Sequence, residues 1–281
     1  MKHSKTADKV KSFFTYLALI AGSFLFMIPL VWTFATALKG EKEFAAAPER
    51  IFPHEPTFAN FGAAWTALPF SDFVWNTVFV TLIATTGTLL SSSLVAFAFS
   101  RFEFPGRKWL FMVLLATMML PGQVTMVPVF MIWRAFGAID TFVPLTLPAF
   151  LGGGAFNVFL LRQFFLTIPR ELDEAMIIDG ATPLRIWGRL ILPLSQPALA
   201  TVAIFSFIGN WDSFDGPLIY LNSPENYTVS IGLRLFQDSF GTNMGQLMAA
   251  SLIHLTPTFL LFLVAQRFFV KGIAVTGMGG K

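Results

Sequence analysis

The chain has 281 residues, of which 55% are hydrophobic and only 12% charged, and its mean hydropathy is +0.67. That balance excludes an ordinary soluble domain and belongs to a chain built for lipid. The net charge of +3 does not point to nucleic acid, because the basic residues sit in short clusters between apolar runs, and a chain with no cysteine has no disulfide framework or thiolate metal site.

Lys2, Lys5, Lys9 and Lys11 mark an N-terminal tail, residues 1–12, before an uncharged run from Phe13 to Leu38. That run is too long for a signal peptide and long enough to span, so a retained first transmembrane helix is expected. Residues 39–72, rich in Pro, Ala and Glu, read as an external loop with little helix of its own. Further spanning runs are Phe73 to Ser100, Trp109 to Trp133, Thr141 to Leu161, Leu190 to Trp211 and Met244 to Gln266. They lie in a core of residues 73–270, with 222–243 as a second external loop and 271–281 as a C-terminal tail. The runs lack the alternation of barrel strands, so the fold class is an all-α membrane protein with six transmembrane helices. Pro29, Pro121, Pro128, Pro144, Pro148, Pro197, Pro257 and the run Gly152, Gly153, Gly154 read as kinks in a bundle.

With the N-terminus inside, the inner segments hold Lys2, Lys5, Lys9, Lys11, Arg101, Arg107, Lys108, Arg162, Arg170, Arg185, Arg189, Arg267, Lys271 and Lys281. The outer segments hold Lys39, Lys42, Arg50, Arg134 and Arg234. Fourteen against five predicts cytoplasmic termini.

Between the fourth and fifth spans, residues 167–193 form a polar stretch. Pro169 opens a short helix with Glu171, Asp173 and Glu174 in its first turn, where the macrodipole favours acids. Leu172, Ala175, Met176 and Asp179 are expected on one face, and Gly180 supplies a left-handed cap. Thr182 then caps a second helix with Pro183 at its first position, Ile186 and Leu190 share a face, and Pro193 marks a bend. Such a knob suits either the lipid surface or a groove in a soluble partner.

The pattern Glu174-Ala175-Met176, Gly180, Leu190-Ile191-Leu192-Pro193 resembles the Glu-Ala-Ala, Gly, Ile-x-Leu-Pro signature of bacterial ABC importer permeases. Met176 stands in place of the second Ala and Leu190 in place of the Ile. "NWDSFDGPLIYL" and "GQLMAASLIHLTPTFLLFLVAQRFFVKG" are similar to the late spans and tail of the carbohydrate-uptake branch. The resemblance implies a type I ABC importer permease fold in the bacterial cytoplasmic (inner) membrane. It further implies an ATPase-coupling element of Glu174, Ala175 and Met176 in the docking helix, Asp179, Gly180 and Ala181 at the corner, and Leu192 and Pro193 at the exit. The implied partners are a second permease in a heterodimer, two ATPase subunits and an extracytoplasmic solute-binding protein that delivers a sugar or oligosaccharide. No Gly-x-x-x-x-Gly-Lys-Ser/Thr sequence is present, so the chain is read as a transport subunit without an ATPase site or cofactor; ATP and Mg fall to the partner ATPase.

Asn210, Trp211, Asp212 and Asp215 interrupt the end of the fifth span. Acids near membrane depth cost about 2.5–3.5 kcal/mol at the centre, so they face a cavity or a partner. Carboxylates and amides beside an aromatic face suit sugar hydroxyls and C–H groups, which makes these residues the expected substrate path; the alternative is an interfacial position with Trp211 as a belt anchor. His254 is read as a hydrogen-bonding group inside the sixth span. An intramembrane enzyme lacks support, since the histidines are only His3, His54 and His254 and no thiol exists. A secondary transporter driven by an ion gradient would use Asp212 and Asp215 but would leave residues 171–193 unexplained.

Overall fold

The computed structural model describes residues 2–238 and 243–277. The side chains of Lys2, Lys5, Arg267, Lys271 and Lys281, which enter the charge pattern, lie outside the described residues, as does the side-chain detail of the tail from 267 onward. No strand occurs among the described residues.

In chain order the helices are α1 (Lys2–Ala37), α2 (Glu41–Ala46), α3 (Ala59–Ala67), α4 (Phe70–Arg101), α5 (Arg107–Thr117), α6 (Gly122–Ala135), α7 (Val143–Phe150), α8 (Ala155–Phe165) and α9 (Arg170–Ile178). There follow α10 (Pro183–Ile186), a π-helical turn (Trp187–Ile191), α11 (Leu192–Leu194), α12 (Gln196–Trp211), α13 (Asp215–Tyr220), α14 (Val229–Asp238) and α15 (Met244–Gly277). Four stretches are long and apolar enough to cross a membrane: Lys9–Ala37, Phe70–Arg101, Val143–Phe165, which joins α7 and α8 across the glycine run, and Met244–Gln266. Two more are bent pairs, Arg107–Thr117 with Gly122–Ala135 at 100° and Pro183–Leu194 with Gln196–Trp211 at 84°. The six expected spans are therefore present by length and composition, four as single stretches and two if each sharply bent pair is one span.

The breaks have local causes. Pro121 has no N–H to continue α5 and stands in extended geometry at the start of α6. The π turn precedes Pro193, whose ring would press on the carbonyl four residues earlier; the widened turn relieves that clash. The sharp bend expected at Pro193 lies instead at Ser195, between α11 and α12, because the proline is absorbed in α11. The glycine run is more than a kink. Gly152, Gly153 and Gly154 all have positive φ, and a Cβ on Gly153 would lie 2.6 Å from Thr88 O and 2.7 Å from Ser92 N. Only glycine combines that backbone with that approach to α4.

Packing divides the described residues into two units. One falls within Met1–Phe70 and Leu233–Leu255. Here residues 39–72 are not the nearly helix-free loop expected, since α2 and α3 both form there. Buried Asn60 donates to Ala37 O at 2.8 Å and Lys39 O at 2.7 Å, satisfying carbonyls at the end of α1. Buried Lys39 donates to Arg50 O, and Trp65 meets Phe70 edge-on at 5.5 Å.

The second unit falls within Ser71–Gly232 and Thr256–Lys281. Its core joins Ala96 and Phe97 of α4, Val158, Leu161 and Phe165 of α8, then Ile168, Ile186, Ile191, Ala198 and Val202. The polar stretch of the sequence is thus rooted in a hydrophobic core. The second expected loop, 222–243, also contains a helix: Val229, Gly232, Leu233 and Phe236 fall at helical spacing and give α14 an apolar face that the neighbouring Arg234 and Asp238 obscure in sequence.

Candidate functional site

Helix α9 is flanked by Pro169 as its N-cap and Asp179 as its C-cap, and Gly180 follows with φ +75°, so the corner has the left-handed cap its sequence demands. Thr182 and Pro183 then start α10 as expected, with Thr182 extended and Pro183 in the first turn. The face of α9 differs from the expected one. Asp173 and Met176 turn inward, while Leu172, Ala175 and Asp179 point outward with Glu174 and Gly180. Met176 and Ala181 pack on the core cluster, and Pro193 is exposed while Leu192 is half-buried. The outward surface is apolar at its tip, with Ile178 86% exposed, Leu184 67% and Ile177 60%.

What turns α9 is an ion pair. Asp173 Oδ2 lies 2.7 Å from Arg101 Nε, at the end of α4, with the two side chains only 12% and 6% exposed. Arg101 Nη2 also donates to Ile168 O at 3.1 Å. Burial pushes the Asp173 carboxyl above its ordinary value, against the pull of Arg101 and Arg170. Asp173 Oδ1 has no hydrogen-bond partner, and the pair borders a cavity of about 170 Å³ lined by Phe97, Phe102, Ile177, Ala181, Pro183 and Ile186. Arg162 donates to Phe99 O at 3.2 Å with its guanidinium 4.3 Å from the Phe111 ring centre, and Arg170 donates to Ser100 O at 3.5 Å. Sequence reasoning counted these arginines only as topology signals and Asp173 only as a first-turn acid. The signal available was an acid facing inward at one turn from Met176.

The four residues of the expected substrate path are only partly brought together. Asn210 lines a small polar pocket of about 30 Å³ with Thr77, Val80, Leu145, Ser213, Pro217 and Thr228. That is room for water rather than for a hexose in this conformation. Asn210 also donates to Ser206 O at 2.7 Å. Trp211 is buried and stacked on Phe207 at 5.6 Å, so its ring is a wall of the helix end and not the open platform expected for a sugar. Asp212 caps α12 and Asp215 opens α13, both exposed.

A second carboxylate site lies at the other end of α4. Asp140, at φ +63°, accepts from Asn222 N at 2.9 Å, Ser223 N at 3.0 Å, Ser223 Oγ and Asn226 Nδ2 at 3.2 Å. The Ser223 hydroxyl and the backbone N–H groups hold its carboxyl well below the usual range. Asn76 of α4 donates to Glu225 O at 2.8 Å and Tyr227 O at 3.0 Å, and Val229 N donates to Thr77 Oγ1 at 2.9 Å. Asp140, in a turn between Gly137 and Pro144, carried no sequence signal beyond the turn itself. Among the described residues no group of His, Cys, Asp and Glu is arranged to hold a metal ion.

Comparison with known proteins gives a consistent result. The family described as binding-protein-dependent transport system inner membrane component matches residues 87–275. The sulfoquinovosyl glycerol transport system permease protein of Agrobacterium fabrum is 31% identical over 280 residues, covering 98% of each chain. The sn-glycerol-3-phosphate transport system permease protein of Brucella suis is 32% identical over 276 residues, covering 95% of this chain and 97% of the relative. Among solved structures, a bacterial ABC transporter involved in the import of the acidic polysaccharide alginate superposes with a TM-score of 0.80 at 22% identity, over 94% of this chain and 98% of that one.

Proposed function

The chain belongs to the family of inner-membrane components of binding-protein-dependent transport systems, and we propose that it works as one permease of a heterodimer, driven by two ATPase subunits. An extracytoplasmic binding protein delivers a sugar or oligosaccharide to it, and ATP and Mg are held by the ATPase subunits. Both termini lie in the cytoplasm. The observation that carries this reading is the outward face of α9: Glu174, Ala175, Ile177 and Ile178 are presented on a helix whose inner side is pinned by Asp173 and Met176. An apolar tip on a rigid mount suits a groove in a soluble partner better than a free surface in water. Family membership also favours ATP over an ion gradient as the driving force.

An Ile178→Cys variant tests it, because the chain has no cysteine of its own. A short thiol-reactive cross-linker applied to the complex expressed with its genomic neighbours is expected to capture an ATPase subunit, in a yield that changes with ATP. Capture of lipid alone would mean that α9 lies on the membrane surface.

Asn210, Asp212 and Asp215 are proposed to line the path on the substrate side, with Trp211 closing its wall. Asp212→Ala is expected to abolish uptake with the complex still assembled; uptake at the normal rate removes Asp212 from the path.

A further inference from the structure

We propose that Arg101 and Asp173 form the joint that passes a displacement of α9 on to α4, which makes them positioning residues for coupling. This rests on the reading of α9 as the docking element.

The chain itself connects α9 to α8 on one side and, through α10 and α11, to α12 on the other. Helix α4 has no such connection and follows α9 only through contacts. Apolar contacts slide, whereas a charge pair taken out of water resists separation, because parting it leaves a charge uncompensated in a low-dielectric site. The pair at 2.7 Å is nearly buried on both sides, unlike the exposed and looser pair of Arg170 and Glu103 at 3.9 Å.

The bonds also run in both directions. Arg101 of α4 reaches the Ile168 carbonyl ahead of α9, while Arg162 of α8 and Arg170 of α9 reach the Phe99 and Ser100 carbonyls of α4. These are among the last carbonyls of α4, where a helix has no donor partners of its own and its dipole favours cations. A helix end held by three guanidinium groups cannot rotate without breaking several of these bonds.

At 1.5 Å per residue α4 is about 48 Å long, longer than the ~30 Å hydrocarbon core. Its far end, at Asn76 and Thr77, is bonded to residues 225–229 and borders the polar pocket of Asn210. A push received at Arg101 is therefore delivered beside the pocket.

The test uses the complex assembled with its ATPase subunits and a single reporter, Asp72→Cys, in the exposed first turn of α4. The rate of maleimide labelling is compared without nucleotide and with Mg-ATP trapped by vanadate. With the pair intact, a change of about threefold or more is expected. In Arg101→Met and Asp173→Asn it should vanish while the complex still hydrolyses ATP, and Asp173→Glu should keep it. The joint is overturned if Asp173→Asn responds fully, if Asp173→Glu behaves like Asp173→Asn, or if the intact pair gives no response at position 72. Should neither neutral variant assemble, Arg101→Lys decides: a reduced response supports the joint and a full one overturns it. Absence of any ATPase from the purified unmutated complex would instead strike the docking reading.

Discussion

Asp140 and Asp173 are both carboxylates held by neighbours, yet their surroundings give them opposite pH behaviour. The folded pKa of Asp140 is depressed by donors from Ser223 and Asn222, so its contribution to stability is complete above the unfolded value of about 3.9 and is lost as pH falls through the folded one. Burial raises that of Asp173, so the contribution of its protonated form is complete below about 3.9 and is lost as pH rises through the folded pKa. Thermal unfolding of the detergent-purified protein between pH 3 and 7 should therefore show Asp140→Asn losing the acid-side slope. Asp173→Asn, which mimics the neutral carboxyl at every pH, should flatten the opposite one. At neutral pH Asp140→Ala should cost about 1–3 kcal/mol, nearer the lower figure because water screens the site.

At the scale of the element, the glycine run between α7 and α8 separates backbone strain from crowding. A side chain on Gly152 meets nothing within 4 Å and suffers only from φ +119°, whereas on Gly153 it also runs into Thr88 and Ser92. Gly152→Ala is expected to lower the melting temperature modestly. Gly153→Ala adds an overpacking cost of about 1–3 kcal/mol and should unfold markedly earlier in the same scan. The spans were legible because charge-free length is a one-dimensional property, and the corner at Gly180 was legible because its cap is local. The direction in which α9 faces was not, since it is set by Arg101 on another helix, and pairing across a fold leaves no periodic trace. Likewise the helices α2, α3 and α14 were hidden: they are short, and what holds them, such as the carbonyls of Ala37 and Lys39 on Asn60, is contributed by distant parts of the chain.

For the molecule as a whole, the arrangement in the membrane is the property most open to a direct check. Single cysteines at His54 and Ile178 should label differently in intact cells: position 54 with a membrane-impermeant maleimide added outside, position 178 only after permeabilisation. Labelling of both from the same side would reverse the proposed orientation of the segments that carry them. The exposed tip of α9 has a bearing on the life of the protein before it transports anything. Ile177, Ile178 and Leu184 carry a large apolar surface into water, and covering such side chains is worth about 1.5–3 kcal/mol each when burial is complete. If α9 docks on a cytosolic partner as proposed, a copy made without enough of that partner would display this surface to the cytosol, as an orphan subunit open to chaperones, proteases and others of its kind. The dose at which this gene is expressed relative to its partner's would then govern how much of the protein survives, quite apart from how well it works.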